Sequence, residues 1–274
     1  MSRAFDGTAV DVTFYVPCLD EETSVGRVIE MLAAAAERHR LQAEVLVYDD
    51  GSGDRTADVA RHALGRHERA DFTGEVICNE TSRGLGANFF AGANRARGER
   101  YLLVNGDHSE RRETLDAVLS RLGDADLVVT VFDTVSDQKG FEQAAPSRDT
   151  GDVRGPLRRG LSQLFTTTVN RLSGHRLRYY NGPVLHRRED VVRFATDCRG
   201  FAYQAELLVR LLDDGRTYVE VPMVNRARGG GVTKAFRPRN LLSVARSLWR
   251  IRTRRFGPSP TIDPGAVQSE ASES

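Results

Sequence analysis

Acidic residues gather at two points in the first 110 residues, each directly after a short apolar run. Val45-Leu46-Val47-Tyr48 leads into Asp49-Asp50-Gly51-Ser52, and Tyr101-Leu102-Leu103-Val104 leads into Asn105-Gly106-Asp107-His108. Carboxylates so placed suit a hard divalent cation that keeps phosphate oxygens and water in its other positions. One carboxylate, Asp107, is enough under those conditions for Mg²⁺. His108 would add a nitrogen better matched to Mn²⁺, although a surface residue at a strand end is its simpler reading. Asp49 can accept from a uracil or guanine ring N–H, and Gly51 would let the backbone approach a flat base. An earlier run, Val12 to Val16, closes on Pro17-Cys18-Leu19-Asp20-Glu21, which on its own reads equally well as a turn and helix cap.

These residues need a scaffold, and the hydrophobic periodicity supplies one. Strands are expected at Val12–Val16, Glu44–Tyr48, Glu75–Cys78, Tyr101–Val104 and Ala125–Val131. Pro17 is expected to stop the first. Helices are expected between them, beginning near Ser24, Asp54, Leu85 and Arg112, with Asp54 as an N-cap. The alternation predicts an α/β fold whose sheet is parallel and covered by helices on both faces. Ligand sites in such sheets form beyond the carboxyl ends of the strands, where the acidic turns fall. Further on, helices are expected at Leu157–Leu172, Ala202–Leu212 and Asn240–Arg254, and a strand at Thr217–Val224. Asp133–Gly155 lacks periodicity and reads as a functional loop or disorder.

Composition narrows the options. With 274 residues, 40% hydrophobic and 28% charged, the chain is ordinary for a globular protein. Three widely spaced cysteines argue against a disulfide framework or a zinc site and for a reducing compartment. No apolar run reaches the roughly 20 residues of a membrane span, and Met1–Asp6 has no signal-peptide core. A cytoplasmic location follows as the expectation, with membrane contact confined to the cytoplasmic surface. Ten Lys or Arg and no acidic residue lie between Val221 and Phe256. Arg83-Gly84-Leu85-Gly86-Ala87-Asn88-Phe89 fails as a dinucleotide fingerprint, because Phe89 stands where a third glycine belongs.

The order and spacing of these motifs resembles the family 2 glycosyltransferases of GT-A fold, the polyprenyl- and dolichyl-phosphate sugar synthases in particular, over about Val12 to Arg250. The family's P-x-x-N-E is met by Pro17 to Glu21, with Asp20 for Asn, and its D-D-G-S-x-D-x-T by Asp49 to Thr56 in full. Gly84, Gly86, Gly92, Ala96 and Gly98 follow its Gly-rich stretch, with Asn88 in place of Ala. Its D-x-D is Asn105-Gly106-Asp107, one carboxylate short. Gly200–Leu207 and Gly215–Pro222 are similar to segments of the polyprenyl-phosphate branch, as are Arg226 and Gly231–Lys234. The basic segment expected after Val131 is absent, and Arg178–Pro183 lacks an expected Asp.

The resemblance implies one GT-A domain over 9–256, with a nucleotide-sugar half at 9–131 and an acceptor half at 132–256, then a disordered tail at 257–274. It implies that Pro17, Asp20, Glu21, Asp49, Asp50, Arg83, Gly84, Asn105 and Gly106 bind the nucleotide-sugar, and that Asp107 holds Mg²⁺ or Mn²⁺. Relatives that glycosylate alcohols carry a basic Asp where this chain has Gln204, which cannot take a proton. A phosphate monoester is already an oxyanion at neutral pH. Gln204 therefore favours a polyprenyl phosphate acceptor, held by Arg226, Arg228 and Lys234. For a hydroxyl acceptor, Glu206 would be the substitute base, unless it pairs with Arg210 one turn on. In Asn240–Arg254 an apolar face of Leu241, Val244, Ala245, Leu248 and Ile251 opposes Arg246, Arg250 and Arg254. Such a helix can lie on an anionic membrane or pack on the sheet. It lacks the aromatic platforms of nucleic-acid binders, so nucleic acid is not an expected partner. The expectation is an inverting transferase using a nucleotide-diphospho-sugar donor and a lipid phosphate. Its rivals are a soluble transferase acting on a hydroxyl and a nucleotide-sugar-binding protein without turnover.

Overall fold

The computed structural model describes residues 9–132, 156–198, 200, 202–223 and 238–253. The expected loop at 133–155, the tail at 257–274 and the basic residues Arg226, Arg228 and Lys234 lie outside them.

Five strands alternate with helices through the first half: β1 Val12–Cys18, α1 Val25–His39, β2 Ala43–Asp49, α2 Thr56–His67, β3 Phe72–Cys78, α3 Leu85–Arg95, β4 Arg100–Leu103, α4 Arg112–Leu119 and β5 Leu127–Phe132. Then come α5 Pro156–Ser173, β6 Val184–Arg187, α6 Arg188–Arg193, α7 Tyr203–Asp213, β7 Tyr218–Met223 and α8 Pro238–Thr253. The strands form one sheet in the order β3-β2-β1-β4-β6-β5-β7. All neighbours run parallel except β6, which is antiparallel to both β4 and β5. The expectation of a wholly parallel sheet is corrected at that strand.

Side chains alternate across the sheet, as a two-residue period requires. Phe14, Val16, Val45, Val47, Leu102 and Val104 enter one core with α1, α2 and α4. Tyr15, Leu46, Tyr48, Tyr101 and Leu103 enter the other, with residues of α3, α5, α6, α7 and α8. Phe89 is the hub there, its ring centroid 5.6 Å from Tyr15, 5.0 Å from Tyr101 and 4.8 Å from Tyr203. Tilted and edge-on pairs of this kind contribute about 0.5–1.5 kcal/mol each beyond their burial. The cluster fixes α3 and α7 against the strands whose ends carry the acidic turns.

Pro17 does not stop β1, which runs on to Cys18. Its carbonyl accepts from Gly106 N (3.2 Å), so its backbone faces the β4 side. Since β4 ends at Leu103, the N–H that proline lacks costs no ladder bond.

α8 packs through its apolar face. Ile251 is fully buried, and Val244 and Leu248 lie against the same core as Val169 of α5 and Leu208 of α7. The packed reading holds for this face, while Ala245 is exposed. Arg250 also departs from expectation: it turns inward to Asp197, with Nη2 2.9 Å from Oδ2. Among the described residues, no helix is long and apolar enough to cross a membrane.

Candidate active site

The strand order reverses between β1 and β4, and a crevice opens at the carboxyl ends of strands flanking such a switch point. The β1–α1, β2–α2 and β4–α4 turns all emerge on this edge.

The first two turns are laced together. Asp20 accepts Gly53 N–H on Oδ1 (2.9 Å) and gives its own N–H to Ser52 Oγ (2.9 Å). Glu21 N–H donates to Thr56 Oγ1 (2.8 Å), and Glu22 N–H to Asp54 Oδ2 (3.2 Å). Asp54 Oδ1 accepts Thr56 N–H (2.9 Å), but the N-cap of α2 is Arg55 and not the expected Asp54, which lies one residue before it. Glu21 also accepts from Ser24 Oγ on Oε2 (2.8 Å).

The neighbouring carboxylates Asp49 and Asp50 have separate surroundings. Asp49 ends β2, is almost buried, and accepts Ser52 N–H on Oδ1 (2.9 Å). Asp50 is surrounded by the Gly-rich turn. Its Oδ1 accepts from Asn88 Nδ2 (2.7 Å), Arg83 N (2.8 Å) and Asn79 Nδ2 (2.9 Å). Its Oδ2 accepts from Ser82 Oγ (2.7 Å) and Gly84 N (3.1 Å). Burial opposes the charge, but these donors outweigh it and hold Asp50 below the usual carboxylate range. Asp50 is thus committed to folding the turn, and Arg83 and Gly84 bind it through their backbones. Asn79 and Asn88 belong to the site's support and were not anticipated. The departure from the family's Ala at Asn88 was the signal available in the sequence. Gly51 has φ +83°, so a left-handed turn accounts for this glycine.

On the far side of the crevice, Gly106 fits where a Cβ would meet Cys18 Sγ at 2.5 Å and Pro17 O at 2.8 Å. This contact holds the Asn105–Asp107 turn against β1. Asp107 is half-buried and accepts Ser109 N–H on Oδ1 (3.0 Å). Asn105 Nδ2 donates to Glu110 Oε1, which leaves Oδ1 as the oxygen the amide can offer. Among the described residues, no group of three or more His, Cys, Asp or Glu side chains could hold a metal. One carboxylate and one amide oxygen still fit a cation that draws its other ligands from a diphosphate and water.

Glu110, not anticipated either, is 4% exposed. Burial pushes its carboxyl up to about 7; the Asn105 hydrogen bond pulls the other way and the nearby Asp107 charge adds to the rise. Between about 4.5 and 7 only the folded state retains this proton, so stability falls as pH rises through that window. Glu110→Gln keeps an acceptor for Asn105 and removes the charge. Thermal melts from pH 4 to 8 are expected to show that the variant lacks this decline. At pH 8 it gains at most about 3 kcal/mol over the parent.

The remaining expected residues lie on α7. Gln204 Nε2 donates to the carbonyls of Gly182 (2.6 Å) and Tyr180 (2.9 Å), strapping the 178–183 segment to the helix. Glu206 has no exposed surface. It lies 3.6 Å from Arg250 Nη1, an ion-pair distance too long for a hydrogen bond. Burial raises its pKa, against the pull of Ser247 and Arg250. Arg210 gives Nη1 to the carbonyls of Phe194 and Ala195. The expectation of Glu206 as a substitute base is therefore corrected. It is sealed at the α7–α8 junction and no acceptor can reach it.

The open, mostly parallel sheet with acidic turns at its switch point has the architecture of the GT-A class of nucleotide-diphospho-sugar transferases, as the family match and the solved structures show. The chain belongs to glycosyl transferase family 2, whose model matches residues 13–190. It is 30% identical over 114 residues to dodecaprenyl-phosphate galacturonate synthase of Rhizobium johnstonii, covering 42% of this chain and 33% of that one. It is 22% identical over 227 residues to undecaprenyl-phosphate 4-deoxy-4-formamido-L-arabinose transferase of Edwardsiella ictaluri, covering 81% and 62%. The chain thus spans between a third and somewhat under two thirds of these curated relatives. Glucosyl-3-phosphoglycerate synthase of Mycobacterium tuberculosis, solved with UDP, shares the fold at TM-score 0.61 and 15% identity, over 88% of this chain and 80% of that one. The same enzyme has been solved with Mn²⁺, UDP and glucosyl-3-phosphoglycerate, and matches at TM-score 0.56 and 15% identity, over 92% and 82%.

Proposed function

We propose that the protein is an inverting glycosyltransferase that moves one sugar from a nucleotide-diphospho-sugar to a polyprenyl phosphate at the cytoplasmic face of a membrane. Asp49 accepts from the base, with Pro17 and Glu21 beside it. Asp20 and Asp50 act one step back, by holding the turns that shape this pocket. Asp107, with the amide oxygen of Asn105, holds a divalent cation. Bound there, Mg²⁺ or Mn²⁺ would neutralise the diphosphate as it leaves. Arg83, exposed at the rim, adds positive charge. Gly106 keeps the metal-binding turn close to β1.

The acceptor phosphate oxygen attacks the anomeric carbon from the face opposite the diphosphate. The new C–O bond forms as the bond to the diphosphate breaks, and the nucleoside diphosphate leaves. No proton has to be removed from a phosphate that is already ionised. Arg226, Arg228 and Lys234 would hold that phosphate.

One observation carries the choice of acceptor. Gln204 occupies the base position and spends its amide on two backbone carbonyls, and Glu206 is sealed from any substrate. Nothing on α7 is left to deprotonate a hydroxyl. The test is mass spectrometry of products from a nucleotide-sugar panel offered together with a polyprenyl phosphate and a set of hydroxyl acceptors. A sugar–phosphate–lipid adduct is expected. A glycoside without that adduct would establish the hydroxyl reading, and donor binding without product the non-catalytic one.

A further inference from the structure

Four large apolar side chains are exposed among the described residues: Leu161, Leu164, Tyr218 and Trp249. Three of them lie on α5 and α8, which touch each other and share the core that holds Phe165, Val169, Val244 and Ile251. Leu164 is 63% and Trp249 55% exposed. The charge of the pair is one-sided. Over 34 residues the two helices carry seven Arg and no Asp, Glu or Lys. Arg250 is used internally by Asp197, whereas Arg159, Arg171, Arg246 and Arg252 face solvent. The whole chain is nearly balanced, with 39 basic and 38 acidic residues, so this bias is local.

We infer that the outer surface of the α5–α8 pair docks on an anionic lipid bilayer, with Trp249, Leu161 and Leu164 entering the interface and the arginines meeting the headgroups. Exposed Trp and Leu amid arginines match the composition of interfacial segments, and Trp favours the headgroup level. The surface is not the α8 face expected from periodicity alone, since that face is consumed in the core. The inference deepens the lipid-phosphate reading: the residues assigned to the acceptor, Arg226 to Lys234, directly precede α8 in the chain.

Trp249 is the chain's one tryptophan, so its fluorescence reports the event without a label. The probe is phosphatidylglycerol vesicles at low salt, with phosphatidylcholine vesicles and a DNA oligonucleotide as comparisons. The expected result is a blue-shifted emission with phosphatidylglycerol alone, quenched by brominated acyl chains. Arg246→Glu with Arg252→Glu should weaken vesicle binding by at least about tenfold, and Leu161→Ser with Leu164→Ser should reduce it too. All four positions are exposed, and circular dichroism and donor hydrolysis without vesicles should match the parent. An unchanged spectrum with phosphatidylglycerol, adsorption without bromine quenching, or an equal response to the oligonucleotide would each overturn the inference. Donor hydrolysis assayed without vesicles is independent of this surface, so a failure here is distinguishable from a failure of the transferase reading.

Discussion

Asp107→Ala is expected to lower kcat/KM for sugar transfer by on the order of 10³-fold, the scale seen when a group that stabilises developing charge is removed. The reason is geometric. Asp107 is the one carboxylate in the Asn105–Asp107 turn, and Asn105 has a neutral amide where the family motif has a second acid. Loss of Asp107 would leave the diphosphate without its cation. Stability should change little, because the residue is half-buried on a turn. Steady-state kinetics across a Mn²⁺ titration checks this: the variant should not recover at high metal. A variant that retains parental kcat/KM would remove Asp107 from the mechanism.

Asp50→Ala should have the second largest effect, and on the fold before the chemistry. Five donors from Asn79, Ser82, Arg83, Gly84 and Asn88 converge on this carboxylate. Removing a charged acceptor from such a set costs roughly 2–4 kcal/mol. Asp50→Asn is expected to fare almost as badly, because its amide nitrogen would confront donors. Arg83 is exposed beside the site, so trypsin should cut there faster once the turn loosens. Donor KM should rise together with that cleavage. Unchanged melting and unchanged proteolysis would mean that the turn is held by other contacts.

These two aspartates show where the sequence is informative and where it stops. The acidic turns, their spacing and the first five strands follow from apolar runs and punctuation. Which of two adjacent carboxylates faces a ligand does not. Asp49 ends β2 with its pairing partners on both sides, whereas Asp50 lies one residue past the strand and turns to the 82–88 segment, a partner over thirty residues away. The same limit hid β6. Val184-Leu185-His186-Arg187 is four residues with two apolar ones, too short for periodicity to register, and its antiparallel pairing depends wholly on β4 and β5. For α8 the amphipathic period was legible, but not what the apolar face would meet. Arg250 was read as part of a solvated stripe because nothing local reveals Asp197, 53 positions earlier. Glu110 escaped notice because a lone acid after a turn is ordinary until its burial is known.

The account rests on a donor site at the β1–β4 switch point, and a thermal-shift panel of UDP-, GDP- and dTDP-sugars with and without Mn²⁺ tests it most directly. A ligand that binds only the folded state raises apparent stability by RT ln(1 + [L]/Kd). The prediction is a rise with one nucleotide class that requires the metal and disappears in Asp107→Ala. No rise with any nucleotide at saturating concentration, or a rise indifferent to both Mn²⁺ and Asp107, would contradict it.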